Sequence, residues 1–317
     1  MLRRRHLPGP LPCRAARTVA EAPPGVGFRC GYAAIIGRPN VGKSTLLNRL
    51  VGQKVSITSR KAQTTRHRVN GIVTTPDAQV IFVDTPGFQT KHRSRLNDRM
   101  NRAVTQCLAD VDATVLVLEA GRITDADRAV IRLLPAGARV VVALNKIDRQ
   151  KDRDALLPQM AELAALHPFS AIVPVSAEKV RALDALLAEV CALMPEGAPI
   201  FAADEITDRD ERFLAAEFVR EKIFRLLGEE VPYATTVAID RFEHEGAMRR
   251  IHATIYVDRE SQRAILLGAG GERMKEIASM ARVDMERLFG GKVFLEVWVR
   301  VKGGWADDEA LLTRFGY

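Results

Sequence analysis

At 317 residues, 47% hydrophobic and 27% charged, the chain has the balance of a soluble globular protein with room for two ordinary domains, and no apolar run approaches a membrane span. Its formal charge of +8 says little about partners, because six arginines against one acid in residues 1–30 supply +5 of it; any nucleic-acid argument has to come from a local site. The four cysteines, Cys13, Cys30, Cys107 and Cys191, form no C-x-x-C pair, which fits neither a zinc site nor a disulfide framework and points to a reducing compartment.

The arginine-rich start, residues 1–29, is expected to be a disordered extension. It shares the acid-poor character of an organellar transit peptide, but it has no serine, and Pro8, Pro10 and Pro12 break an amphipathic helix. A first domain is expected over residues 30–194, where apolar strand-like runs alternate with helical patterns. Strands are predicted near 32–36, 68–74, 80–84, 113–119, 139–145 and 171–176, forming a mostly parallel sheet with helices on both faces. Ligands bind such sheets beyond the carboxyl ends of the strands, and every chemical motif of this half falls at one of those ends.

After the first strand comes Gly37-Arg38-Pro39-Asn40-Val41-Gly42-Lys43-Ser44, followed by Thr45 and a helical pattern. This is a phosphate-binding P-loop: glycines let backbone N–H groups face the phosphates, Lys43 reaches the β- and γ-phosphates, and the Ser44 hydroxyl can ligate Mg2+. Next, 60–66 is a polar loop without a core-forming pattern, in which Thr65, in preference to Thr64, is the candidate to complete the Mg2+ shell. The third strand ends in Asp84-Thr85-Pro86-Gly87, with Asp84 for the metal and the Gly87 amide for a γ-phosphate. Phe88 follows where Ras-type enzymes place a water-orienting glutamine; it can neither donate nor accept a hydrogen bond, so intrinsic hydrolysis is expected to be slow. The catalytic candidates are Lys43, Thr65 and Gly87.

Strand five ends in Asn145-Lys146-Ile147-Asp148. A carboxylate at 148 accepts from N1–H and N2–H2 of guanine, donors that adenine lacks. Asn145 ties the loop together, the stem of Lys146 covers the base, and Ser176-Ala177 is placed to offer a backbone N–H to O6. GTP and GDP are therefore the expected ligands.

Residues 195–208 read as a linker. Beyond them, 209–302 shows the order α-β-β-α-α-β, with Gly268-Ala269-Gly270-Gly271 between the last two helices. A Gly-x-x-Gly turn there is the clamp of an RNA-binding KH domain, and Arg263, Arg273 and Lys275 sit where a phosphate backbone would pass. From residue 209 onward 18 basic side chains face 19 acidic ones, so a groove rather than net charge would bind RNA. Residues 303–317 are left as a tail.

Together these motifs, with Gln63-Thr64-Thr65-Arg66 and Trp305-Ala306-Asp307-Asp308-Glu309, resemble the Era family of bacterial ribosome-assembly GTPases. The resemblance implies a P-loop GTPase domain followed by an α+β type II KH domain. It also implies binding to the 3′ region of small-subunit ribosomal RNA, assistance to assembly of that subunit, a cytoplasmic monomer and peripheral association with the inner face of the membrane. Asn40 is a K+ ligand candidate on resemblance to potassium-stimulated GTPases. The chain departs from the family in its extension and in Ala269, where lysine is frequent. The rival reading is a GTPase adaptor whose KH domain binds protein.

Overall fold

In the computed structural model, residues 2–3, 27–61, 64–87, 95–150, 156–228 and 230–315 are described. Gln63 and Phe88, and nearly all of the extension, lie outside them. The chain divides into two compact units: residues 1–55, 69–84 and 106–208 form the first, and 56–68, 85–105 and 209–317 the second.

The first unit is built on a six-stranded sheet. Its strands are β2 (Arg29–Ile36), β3 (Val69–Thr74), β4 (Ala78–Asp84), β5 (Ala113–Glu119), β6 (Val140–Asn145) and β7 (Ala171–Pro174), in the order β3-β4-β2-β5-β6-β7. Only the β3–β4 pair is antiparallel. Every residue of β4 and β6 is buried, which is why both read as continuous rather than alternating apolar runs. The order reverses about β2, so a crevice opens beyond its carboxyl end. There the chain enters α1 (Lys43–Val51), which stops at Gly52 in the left-handed conformation.

Helices α3 (Asp125–Ile131), α4 (Leu156–Leu166) and α5 (Leu183–Leu193) follow β5, β6 and β7. Thr124 and Asp127 cap α3 reciprocally. The stretch 195–208 runs along this unit: the N–H groups of Ile200 and Phe201 donate to the fully buried Gln79 Oε1 at 2.8 and 2.9 Å. Near its end β8 (Glu205–Thr207) pairs with the two-residue β1 (Leu2–Arg3), and Thr207 Oγ1 donates to Asn70 O at 2.6 Å.

The second unit contains α6 (Glu211–Leu226), α7 (Glu230–Tyr233), β9 (Thr235–Glu245), β10 (Met248–Val257), α8 (Glu260–Leu267), α9 (Glu272–Phe289) and β11 (Lys292–Val301), matching the α-β-β-α-α-β expectation with one short helix added. The sheet order is β11-β10-β9, with β10 parallel to β11 and antiparallel to β9. Asp210 caps α6 by accepting from Phe213 N–H at 2.7 Å. Helix α9 buries Met274, Ile277, Ala281, Met285 and Leu288, a stripe with helical spacing.

Residues 303–315 supply side chains to a further buried cluster of this unit. Trp305 is fully buried with Leu312, from α10 (Glu309–Arg314), and with Leu96 and Met100, from α2 (Arg95–Ala109); its Nε1–H donates to Ala234 O at 2.9 Å.

The segment 56–68 packs inside the second unit. The Thr58 N–H donates to the fully buried Glu221 carboxylate on α6 at 2.9 Å, and Lys61 donates to Leu227 O and Gly228 O. Arg66, buried beneath the rings of Phe224 and Trp305, donates to the carbonyls of Pro232, Tyr233 and Thr235 at 2.8–3.0 Å.

Candidate nucleotide site and RNA-binding loop

The P-loop conformation follows from close packing as much as from anion binding. A Cβ on Gly37 would lie 2.4 Å from Val117 O, and one on Gly42, at φ 103°, would lie 2.4 Å from Asn145 Nδ2, so any side chain at either position displaces a neighbour. Lys43 Nζ donates to Gly37 O and Arg38 O at 2.9 and 3.0 Å, and Ser44 Oγ donates to Asp84 Oδ2 at 2.7 Å. The hydroxyl and the buried carboxylate are hard oxygen donors held side by side, a set that suits Mg2+. Thr45 continues α1, and Pro39 and the exposed Asn40 form the outer bend of the loop.

Burial of the Lys43 ammonium lowers its pKa to about 8, against the opposing pull of Asp84 and with a further push from Arg38. A phosphate beside it would raise that value again. Nucleotide binding should therefore take up a proton as pH rises through 8, and affinity should fall by up to about tenfold per unit above it. Titration calorimetry in buffers of different ionisation enthalpy reads this directly. Equal heats in all buffers at about pH 8.5 would contradict it.

At the end of β6, Asn145 Nδ2 donates to Val41 O at 2.8 Å, and its Oδ1 accepts the Ala177 N–H at 3.0 Å. One amide thus joins the phosphate loop to the loop after β7. Lys146 Nζ donates to Asn40 O at 2.7 Å. Asp148 Oδ1 accepts from Ser176 Oγ, and the Ser176 N–H donates to Arg181 O at 3.2 Å. The structure therefore gathers residues 37–45, Asp84, 145–148 and 176–177 within the first unit. Thr65, buried, and Gly87 belong to the second.

The Gly-x-x-Gly turn joins α8 to α9. Gly268, at φ 70°, could not carry a Cβ without meeting Arg273 Cβ at 2.8 Å, whereas Cβ positions on Gly270 and Gly271 meet nothing within 4 Å. One glycine closes the turn and the other two leave space in front of it. Ala269 and Lys275 are exposed. Arg263 and Arg273 pair with Glu260 and Glu276 at 2.7 and 3.0 Å across exposed helix faces, pairings weak enough to yield to a phosphate.

The family profile described as "50S ribosome-binding GTPase" matches residues 32–146, and a KH-domain profile matches 230–306. GTPase Era of Nitrosomonas eutropha is 56% identical over 291 residues, covering 92% of this chain and 98% of that protein. The chain belongs to the Era family of GTPases. Era of Stenotrophomonas maltophilia is likewise 56% identical, covering 91% of this chain and 97% of its own length. Two solved Era structures superpose on 92% of the chain at 40% identity and 99% of their own length. The Aquifex aeolicus protein bound to GDP·AlF4− gives a TM-score of 0.87, and Era with MgGDPNP and nucleotides 1506–1542 of 16S ribosomal RNA gives 0.88.

Sequence reasoning missed two acids in this Era-family site. Glu119, the last residue of β5, bonds Lys146 Nζ and Arg38 Nη2 at 3.0 Å each, and Asp127 of α3 bonds Arg38 Nε at 3.0 Å. The one available signal was an acid at a strand's carboxyl end, where the other motifs also fall.

Proposed function

We propose that this Era-family GTPase is a slow Mg2+-dependent switch whose KH domain binds small-subunit ribosomal RNA near its 3′ end and assists rRNA processing and assembly of that subunit. It would act in the cytoplasm on the subunit or its precursor. The observation that carries the RNA half is the Gly268–Gly271 turn, whose open Gly270 and Gly271 positions leave room for a sugar-phosphate chain at the start of α9. The half-exposed Ile265, just before the turn, offers an apolar surface to a base.

In the nucleotide half, Lys43 and the N-terminus of α1 hold the β- and γ-phosphates. Ser44 and Asp84, with Thr65 as the nucleotide-sensing ligand, would hold Mg2+, which neutralises charge on the phosphates. The Gly87 amide would address the γ-phosphate and Asp148 would read the guanine edge; the Ser176 and Ala177 N–H groups donate to Arg181 O and Asn145 Oδ1 in this structure, so one of them would have to turn to reach O6. Asn40 is the ligand for K+; equal turnover in KCl and NaCl at matched ionic strength removes that role.

Coupling between the halves is supported by where Thr65 sits. Its segment is anchored to the KH-containing unit through Thr58, Lys61 and Arg66, so a γ-phosphate that orders Thr65 loads those anchors. A tenfold change in RNA affinity requires only about 1.4 kcal/mol of difference between nucleotide states.

Filter binding of an RNA with the 3′ sequence of the small-subunit rRNA tests the proposal. Gly268→Asp and Gly271→Asp are expected to reduce binding by at least about tenfold, through phosphate repulsion and, at Gly268, a steric clash. RNA affinity that is equal with GDP and a non-hydrolysable GTP analogue would refute coupling. No binding by the unaltered chain would favour the protein-binding adaptor.

A further inference from the structure

We propose that Glu119 is the positioning residue that joins the phosphate-holding and base-reading loops into one nucleotide clamp, with Asp127 supporting the phosphate side alone. The inference rests on guanine-nucleotide binding at the P-loop and adds to it a determinant of how long the nucleotide stays.

The geometry divides one carboxylate between two loops. Glu119 Oε2 accepts from Arg38 Nη2, and Oε1 meets Lys146 Nζ, each at 3.0 Å. Arg38 lies in the P-loop, and its own carbonyl receives the Lys43 ammonium at 3.0 Å; holding its side chain therefore holds the peptide that aims the phosphate lysine. Lys146 stands two residues before Asp148, and its ammonium also bonds Asn40 O.

Asn40 and Lys146 are both non-glycine residues at φ 66°, a conformation that persists only where its surroundings over-determine it. The Lys146–Asn40 bond ties these two strained positions together, and Glu119 fixes the lysine that makes it. Asp127 spends one oxygen on Arg38 and the other on the Thr124 N–H and hydroxyl at 2.9 and 2.6 Å, so it reaches the phosphate loop only. Glu119 belongs to the sheet end, and Asp127 to a capped helix. The clamp is thereby referred to two rigid elements.

Glu119→Gln keeps the size of the side chain but turns one acceptor into an NH2 donor, which must face a cation and break one bridge. In stopped-flow release of N-methylanthraniloyl-GDP from the full chain, this variant is expected to dissociate about tenfold faster, a size set by one lost charge-assisted bond. Asp127→Asn should give a smaller rise. Glu119→Asp, which keeps the charge but shortens the reach, should fall between wild type and Glu119→Gln. KM for GTP should rise by a larger factor than any fall in kcat, and the unfolding midpoint of the nucleotide-free protein should stay within about 2 °C of wild type. A release rate less than threefold above wild type, or a rise matched by a loss of several degrees in the unfolding midpoint, overturns the proposal. Wild-type release in the same series reports nucleotide binding itself, so failure of that reading would be seen separately.

Discussion

Asp148→Asn is expected to weaken GDP and GTP binding by on the order of 10^4-fold, the lower end of the range in which a site built to bond a group rejects its mismatch. The carboxylate would present acceptors to two guanine donors, and Ser176 Oγ, which donates to Oδ1, holds it in orientation. An amide must turn either its NH2 toward those donors or its single oxygen toward one of them, leaving a desolvated donor unpaired. Xanthine carries a carbonyl in place of the exocyclic amine, so the same variant should recover affinity for xanthosine diphosphate. Competition against a fluorescent nucleotide measures all three. A loss of less than tenfold for GDP, or ATP displacing GDP from the unaltered chain as readily as GTP does, would remove Asp148 as the reader of the base.

Arg66→Ala is expected to cost the second unit about 3–5 kcal/mol in denaturant unfolding, because two buried backbone carbonyls and a partly buried one lose a charged donor together with the packing of its stem beneath two rings. Arg66→Lys should restore little, since a single ammonium cannot reproduce the spread of a planar guanidinium. The same change releases one anchor of the Thr65 segment, so the difference in RNA affinity between nucleotide states should shrink with it. A loss below 1 kcal/mol would mean that the carbonyls find other donors and that this anchor is dispensable.

The parts of the site that are contiguous along the chain are legible from residue types and spacing. The P-loop, Asp84–Gly87 and 145–148 announce themselves because phosphate and base chemistry requires those residue types at those spacings, and the helix over 272–289 and the strand over 292–301 follow from periodicity alone. Segment 56–68 is not legible in that way. Its part 60–66 reads from composition as a polar loop without a core-forming pattern, yet Thr64, Thr65 and Arg66 are each less than 9% exposed.

Helix α6 shows the reciprocal case. Its apolar stripe is plain, but the burial of Glu217, Arg220, Glu221 and Lys222 is not, since those charges are satisfied partly by residues far away in sequence: Glu221 by Thr58 and Lys222 by Asp284. Trp305, in what reads as a tail, enters a core completed by Leu96 and Met100.

By itself, then, the sequence determined the family and the two domain types, and it named the groups proposed to meet phosphate, guanine and RNA, because such motifs are written in local spacing along the chain. Only the tertiary structure decided which unit owns the Thr65 segment and which acids brace Arg38 and Lys146. Burial of a charge depends on partners brought together by folding, and no local pattern of residues encodes them.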